Sequence, residues 1–245
     1  MSSVSPELTQ FGGSRKSGDA APTSALCGCL SLFSGILSTE RDWIVSAARQ
    51  RRLSRRETIF REGDSIREVT LLLVGCVKLT QVGTSGREVI LRIIRTGELV
   101  GALQPSSLDK QHSTAQAVEA SVVLMWNSAV FDALQGRFQL FRRNVVRGLE
   151  DQLRKMDSRF REVSTERVRI RLSSELIRLS NGEGEVSNRN KIRLSRTELA
   201  QLTGTTLSTV SRLFSEWRKV GVVRLDRDGV FVEDPAALLR LCQDE

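Results

Sequence analysis

Leu194-Ser195-Arg196-Thr197-Glu198-Leu199-Ala200-Gln201-Leu202-Thr203-Gly204-Thr205-Thr206-Leu207-Ser208-Thr209-Val210-Ser211-Arg212-Leu213 decides how the C-terminal third of this chain folds. Ser195 stands three residues before Glu198, the spacing at which each side chain caps the other's backbone at a helix start. A helix Arg196–Leu202 follows, and Gly204 breaks it. Thr206 then offers an N-cap for a second helix, Leu207 to Val220, whose apolar Val210, Leu213, Phe214 and Trp217 recur at helical spacing. Gly221 lies where a C-cap glycine would close it. Ile192–Leu194 upstream reads as a short strand, and Val222–Leu225 and Val230–Glu233 downstream as a hairpin turning at Asp226–Gly229. Two short helices about a glycine-containing turn, followed by a hairpin, describe a winged helix-turn-helix.

In that motif the second helix enters the DNA major groove by its N-terminal end. The positions left between its core residues are Leu207, Ser208, Ser211 and Arg212. Arg212 can give guanine O6 and N7 two hydrogen bonds, whereas Ser208 and Ser211 discriminate weakly between bases. Arg196 is placed for a phosphate, as are the backbone N–H groups near Thr205 and Thr206. The plainer reading of Arg212 is a charge that solvates a helix face. Composition agrees with an anionic partner. The chain carries 37 Lys+Arg against 29 Asp+Glu, a net charge of +8. Residues 189–224 hold eight of the bases and only two acids, Glu198 and Glu216. Such an excess suits nucleic acid or an acidic surface.

Ahead of this unit, Arg167 to Ser180 reads as a helix, with Asn181–Gly184 as a loop. Before it, Val146, Leu149, Leu153, Met156, Phe160 and Val163 are spaced 3, 4, 3, 4 and 3 residues apart, the seam of a coiled coil. A single amphipathic helix lying on the preceding region is the other reading, because the run spans fewer heptads than a firm assignment needs. Either way, that apolar side must be buried. From Glu57 to Trp126 short apolar runs alternate with turn signals, which predicts an all-β barrel or sandwich. Leu26 to Arg52 has helical spacing, with a helix start at Ser38, and Ser-, Gly- and Pro-rich Met1–Ser24 reads as a disordered tail. The expected organisation is α+β: a tail over 1–25, a β-roll sensor over 26–138, a dimerisation helix over 139–166, and a winged helix-turn-helix over 167–245.

No apolar run is long enough to cross a bilayer, and the N-terminus lacks a signal-peptide layout. The four cysteines, Cys27, Cys29, Cys76 and Cys242, are too few for a disulfide framework, so a reducing cytoplasm is expected. One histidine, no phosphate-binding loop, no nucleophile elbow and no metal-ligand cluster leave catalysis without visible residues.

With these elements in order, the chain resembles the Crp/Fnr family of bacterial regulators from about Cys27 onward. The segments that carry the resemblance are Phe60-Arg61-Glu62-Gly63-Asp64, Gly97-Glu98-Leu99-Val100-Gly101, Leu194 to Gly204, and Thr209-Val210-Ser211-Arg212-Leu213. It implies a β-roll of cyclic-nucleotide-binding type, a dimer on a twofold-symmetric operator, and contact with RNA polymerase. The departures bear on the signal. Matching spacing makes Gly101, Ala102, His112 and Ser113 the effector-pocket candidates. Nucleotide-responsive members hold the ribose with a Glu where this chain has Ala102, and the phosphate with an Arg where it has His112. A neutral imidazole supplies neither the fixed charge nor the paired donors of a guanidinium. Met156 and Asp157 occupy the two dimer-helix positions that such members turn toward adenine, so cyclic AMP is not expected. The oxygen-sensing branch needs four cysteines for an iron–sulfur cluster, but Cys27 and Cys29 have no third nearby and Leu124 fills the central position. A haem could use His112 with Cys76 or an N-terminal cysteine, and a thiol switch could use Cys27, Cys29 or Cys76. In place of the Glu that many members aim at cytosine, the reading helix has Ser208. A regulatory module that binds a ligand without DNA is the competing function, but it gives no reason for Ser195–Arg212 and the wing.

Overall fold

The computed structural model describes residues 20–101, 110–180, 191–226 and 229–240. Helices α1 (Ala20–Cys27) and α2 (Ser38–Ser46) lead into a β-region of eight strands: β1 (Arg49–Leu53), β2 (Thr58–Phe60), β3 (Glu68–Val74), β4 (Cys76–Val82), β5 (Glu88–Arg95), β6 (Leu99–Val100), β7 (Thr114–Ala117) and β8 (Ser121–Asn127). They form two antiparallel four-stranded sheets, ordered β1-β8-β3-β6 and β2-β7-β4-β5. Inward residues of both sheets, among them Leu72, Val77, Ile94, Val100, Ala115 and Val123, pack into one core. Helices α3 (Ser128–Arg137) and α4 (Gln139–Thr165) follow. Phe33, Trp126, Phe131 and Phe141 fill the space between the helices and the first sheet, and the Trp126 indole N–H donates to the Ile44 carbonyl at 2.8 Å.

The N-terminal region departs from expectation in two places. The last residues of the expected 1–25 tail are helical, because Cys27 is fully buried and the Ser24 hydroxyl bonds to Asp42. The helical reading of Leu26 to Arg52 ends at α2, and β1 takes over from Arg49. Sequence Arg49-Gln50-Arg51-Arg52-Leu53 turns only Leu53 fully into the core, so it shows no alternation of apolar residues to mark a strand.

α4 starts inside the body and then runs along its surface beside β5. Phe141, Asn144 and Val145 are buried, and Asn144 donates to the Leu32 and Ser34 carbonyls at 3.0 and 2.9 Å. Helix α5 (Val168–Ser180), strand β9 (Lys191–Ile192), helices α6 (Arg196–Thr203) and α7 (Leu207–Lys219), hairpin β10 (Val223–Asp226) and β11 (Gly229–Val232), and helix α8 (Pro235–Arg240) complete the chain. Their order, β10-β11-β9 in the small sheet, is that of a winged helix-turn-helix.

The C-terminal unit is seated on the β-region. Ile90 and Val118 are buried in the same cluster as Leu199, Leu202, Val210 and Phe214. At its edge Lys78 Nζ meets Glu198 Oε1 at 2.6 Å, the two side chains 11% and 22% exposed. Gln201 bonds Glu88 at 3.2 Å, and Arg193 pairs with Glu119 at 3.2 Å. Burial works against the Glu198 carboxylate. Hydrogen bonds from Lys78 and Ser195, with the lysine charge, outweigh it and draw the pKa below the usual carboxylate value.

Lys78→Met should therefore lower stability by about 1–3 kcal/mol, because the remaining carboxylate loses its partner while half enclosed. A depressed folded-state pKa contributes stability that is complete above the unfolded value and is lost as pH falls through the folded one. Thermal melts at several pH values should show the wild-type excess over Lys78→Met near neutrality and its decline below the usual carboxylate range. An undiminished gap in acid would mean that the pair does not carry the difference.

Candidate nucleic-acid interface

The reading unit is built around α6 and α7. Ser195 and Glu198 form the full capping box: the Ser195 hydroxyl oxygen accepts from the Glu198 N–H at 3.2 Å, and Glu198 Oε2 accepts from the Ser195 N–H at 2.8 Å. Gly204 ends α6 at φ +62, a left-handed conformation that glycine adopts without strain. The Thr206 hydroxyl oxygen accepts from the Thr209 N–H at 3.2 Å and lies 2.9 Å from the Ser208 hydroxyl. Val210, Leu213, Phe214 and Trp217 anchor α7 at 2% exposure or less. That burial turns Leu207, Ser208 and Arg212 outward, with Ser211 half-exposed beside them.

Arg212 does not hang free. Its guanidinium donates to Glu216 one turn along at 2.8 Å, and the other Glu216 oxygen takes Arg169 of α5 at 2.7 Å. Glu216 thereby fixes the direction of Arg212, a role absent from the sequence reading although the i,i+4 spacing was there to find it. Arg196 is exposed at the start of α6 and has no carboxylate partner among the described residues. One expectation fails. The Thr205 N–H donates to the Ala200 carbonyl at 3.0 Å, closing α6, and is not available to a phosphate. The N–H groups of Leu207 and Ser208, in the first turn of α7, have no helical acceptor by geometry. In the wing, Arg224 lies 3.9 Å from the Phe231 ring centre and pairs with Glu233 at 2.6 Å.

The six seam residues share one side of α4 and remain uncovered in the single chain. Val146 is 46% exposed, Leu149 38%, Leu153 60%, Met156 56%, Phe160 77% and Val163 45%.

Of the effector-pocket candidates, Gly101, His112 and Ser113 are among the described residues, and Gly101 lies close to the Gln111 side chain. Ala102 lies outside the described residues. His112 is exposed while Ser113 is buried, in the bend that precedes β7, so the two side chains face different surroundings. Gly101 sits at φ +83 with Phe60 so close that an added Cβ would approach its ring to 2.5 Å. A cavity of about 500 Å³ opens beside Phe60, Asp64, Arg67, Thr70, Gln111 and Met125. Among the described residues no group of three or more His, Cys, Asp or Glu is arranged for a metal, and no helix is long and apolar enough to cross a membrane. Cys242 lies outside the described residues. Burial raises the Cys27 thiol to about 11, with Arg41 opposing, and burial raises Cys76 to about 12, with Arg95 opposing. Both are the reverse of what a reactive thiolate needs.

Comparison with known proteins bears on this geometry. Residues 50–137 match the cyclic nucleotide-binding domain family, and residues 170–241 the Crp-like helix-turn-helix domain family. The chain is 30% identical over 208 residues to the Cyclic AMP receptor protein of Thermus thermophilus, across 84% of this chain and 94% of that one. It is 28% identical over 196 residues to the Transcriptional activator protein FnrA of Stutzerimonas stutzeri, across 79% and 80%. A solved CRP-family transcriptional regulator from Thermus thermophilus shares the fold, with a TM-score of 0.68 at 24% identity over 79% of this chain and 97% of that one.

The cysteine environments give a direct expectation. At pH 8 exposed Cys29 should react with a maleimide in the native protein, and Cys27 and Cys76 only after unfolding. Peptide mapping of the native adduct would contradict this by finding label on Cys76 at the Cys29 rate.

Proposed function

Because the chain belongs to the Crp/Fnr family of transcription regulators and carries that family's helix-turn-helix domain, we propose that it is a homodimer that reads a twofold-symmetric operator with α7 and needs no cyclic AMP. In this reading residues 26–138 form the sensor, 139–166 the dimerisation helix and 167–245 the DNA-binding domain. It acts in the cytoplasm by binding DNA and RNA polymerase and not by catalysis. The observation that carries the proposal is the combination on one chain of a clamped α6 and an outward α7. Glu198, Gln201 and the α6 apolar face are committed to the β-region, whereas Leu207, Ser208, Ser211 and Arg212 face away from the domain's own core.

Arg212, aimed by Glu216, supplies the base contact. Arg196 and the first-turn N–H groups of α7, together with the Thr205 and Thr206 side chains, supply phosphate contacts. Dimerisation follows from the seam. Six large apolar side chains on one helix side, five of them more than 40% exposed, are covered when a second α4 lies against them. The sensor keeps the β-roll of relatives named for cyclic AMP. With alanine at 102 and histidine at 112, it lacks the carboxylate and guanidinium by which nucleotide-responsive members hold the ribose hydroxyl and the cyclic phosphate.

Arg212→Ala should cost about 1–3 kcal/mol per half-site on the preferred operator and little on random DNA. Arg196→Ala should weaken both alike and lower the salt dependence of log K by about one unit per half-site. Titrations at several salt concentrations distinguish them, and equal losses on both DNAs for Arg212→Ala would remove it from base readout. Leu153→Asp should dissociate the dimer by placing charge in the seam; sedimentation that finds the wild type monomeric at micromolar concentration would reject the assembly. Millimolar cyclic AMP should leave the melting temperature unchanged, since any ligand of the folded state must raise it. A clear rise would restore the nucleotide as effector.

A further inference from the structure

Arg92 on β5 is an arginine with an unmet donor. Its Nη2 donates to the Leu99 carbonyl at 3.3 Å, but its Nε is buried without a partner among the described residues. Burial lowers its pKa from the usual arginine value, with Glu98 opposing. Glu98 is already engaged, one oxygen by Lys155 Nζ at 2.6 Å and the other by the Arg95 N–H at 3.0 Å. Beside Arg92 a cavity of about 450 Å³ separates β5 from α4 and α5, with Met156 and Arg159 on its α4 wall. Glu175, which also lines the cavity, is engaged by Arg178 at 2.9 Å, so the half-enclosed Arg92 guanidinium calls for a further carboxylate.

The heptad identifies which one. Val146, Leu153 and Phe160 take position a, and Leu149, Met156 and Val163 take position d. Gln152 and Arg159 are then at g, and Glu150, Asp157 and Ser164 at e. The inference rests on the dimer proposed above. Two α7 helices that read one operator lie at the same end of the pair, so the α4 helices run parallel. In a parallel pair each g residue lies beside the e residue of the partner's next heptad. Gln152 is therefore flanked by Asp157 of the partner subunit. Gln152 also donates to the Leu99 carbonyl, at 3.4 Å, so its amide and the Arg92 guanidinium share one acceptor. In the single chain Asp157 is exposed, with no ion pair among the described residues. The other e positions offer no match: Arg159 meets a serine by the same rule, and Glu150 would face Val145, which is buried against its own body.

We infer that an ion pair between Arg92 of one protomer and Asp157 of the partner subunit, formed twice by symmetry, completes the dimer. It ties the sensor sheet of one copy to the long helix of the other. The charge that faces this end of the sensor is then neutralised by the protein's own carboxylate and not by a diffusible anion.

Because the pair is between subunits, mixing tests it. Arg92→Asp and Asp157→Arg should each weaken the dimer roughly tenfold or more by sedimentation equilibrium, on the scale of coupled charge pairs. Mixing the two variants gives heterodimers in which both pairs are opposite in charge, and these should associate within about threefold of wild type. A pair within one chain gains nothing from mixing. Arg92→Gln and Asp157→Asn, which add no charge, serve if Arg92→Asp fails to fold, and their double variant should be no weaker than either single one. Singles without effect, or losses that add in the double variant and persist on mixing, would overturn the ion pair while leaving the seam intact. A wild type that does not dimerise would overturn both readings.

Discussion

Glu198 meets the start of its own helix with one carboxylate oxygen and Lys78 of the β-region with the other. A capping box ordinarily stabilises a helix end and has no further reach. Here the residue that completes the cap is also the fixed point between two folding units, so α6 is held by the sensor at the same atoms that nucleate it. α7 follows α6 through a single left-handed glycine and the Thr206 cap. The direction of α7 is therefore set by a short path from Lys78. The shared apolar cluster around Ile90, Val118 and Leu199 gives this path its backing.

The second constraint is the uncovered side of α4. A 27-residue helix extends about 40 Å, and its first turns alone are buried in its own body. The rest runs beside β5, with its charged flank on the protein and its apolar seam outward. Arg159 illustrates the division, donating to Leu91 and Leu202 carbonyls on two different units from a position next to the seam. α4 thus touches both the β-region and the C-terminal unit. The same flank carries Gln152 and the approach to Arg92.

Much of this was legible in the chain because local signals agreed. Ser195 with Glu198, Gly204, Thr206 and the Val210–Trp217 period each mark the same two helices, and the comparisons and the structure bear out the winged helix-turn-helix. What stayed hidden was of two kinds. β1 was invisible because its strand exposes arginines and buries little besides Leu53. The contacts of Lys78 with Glu198 and of Arg169 with Glu216 were invisible because they reach across 120 and 47 residues, which periodicity does not encode, whereas the Arg212–Glu216 pair is local and was overlooked. Spacing alone did not show that Ser113 is buried while its neighbour His112 is exposed. Thr205 was assigned a free N–H because the sequence shows where a turn is, but not which carbonyl its donors find.

Selection of bound sites from a random duplex library by the full-length chain tests the central claim most directly. The account predicts an inverted repeat whose half-sites lie about one helical turn apart, centre to centre, or a multiple of it, each half with one guanine lost from the consensus in Arg212→Ala. Enrichment of a single unpaired half-site, or of no sequence at all, would contradict it.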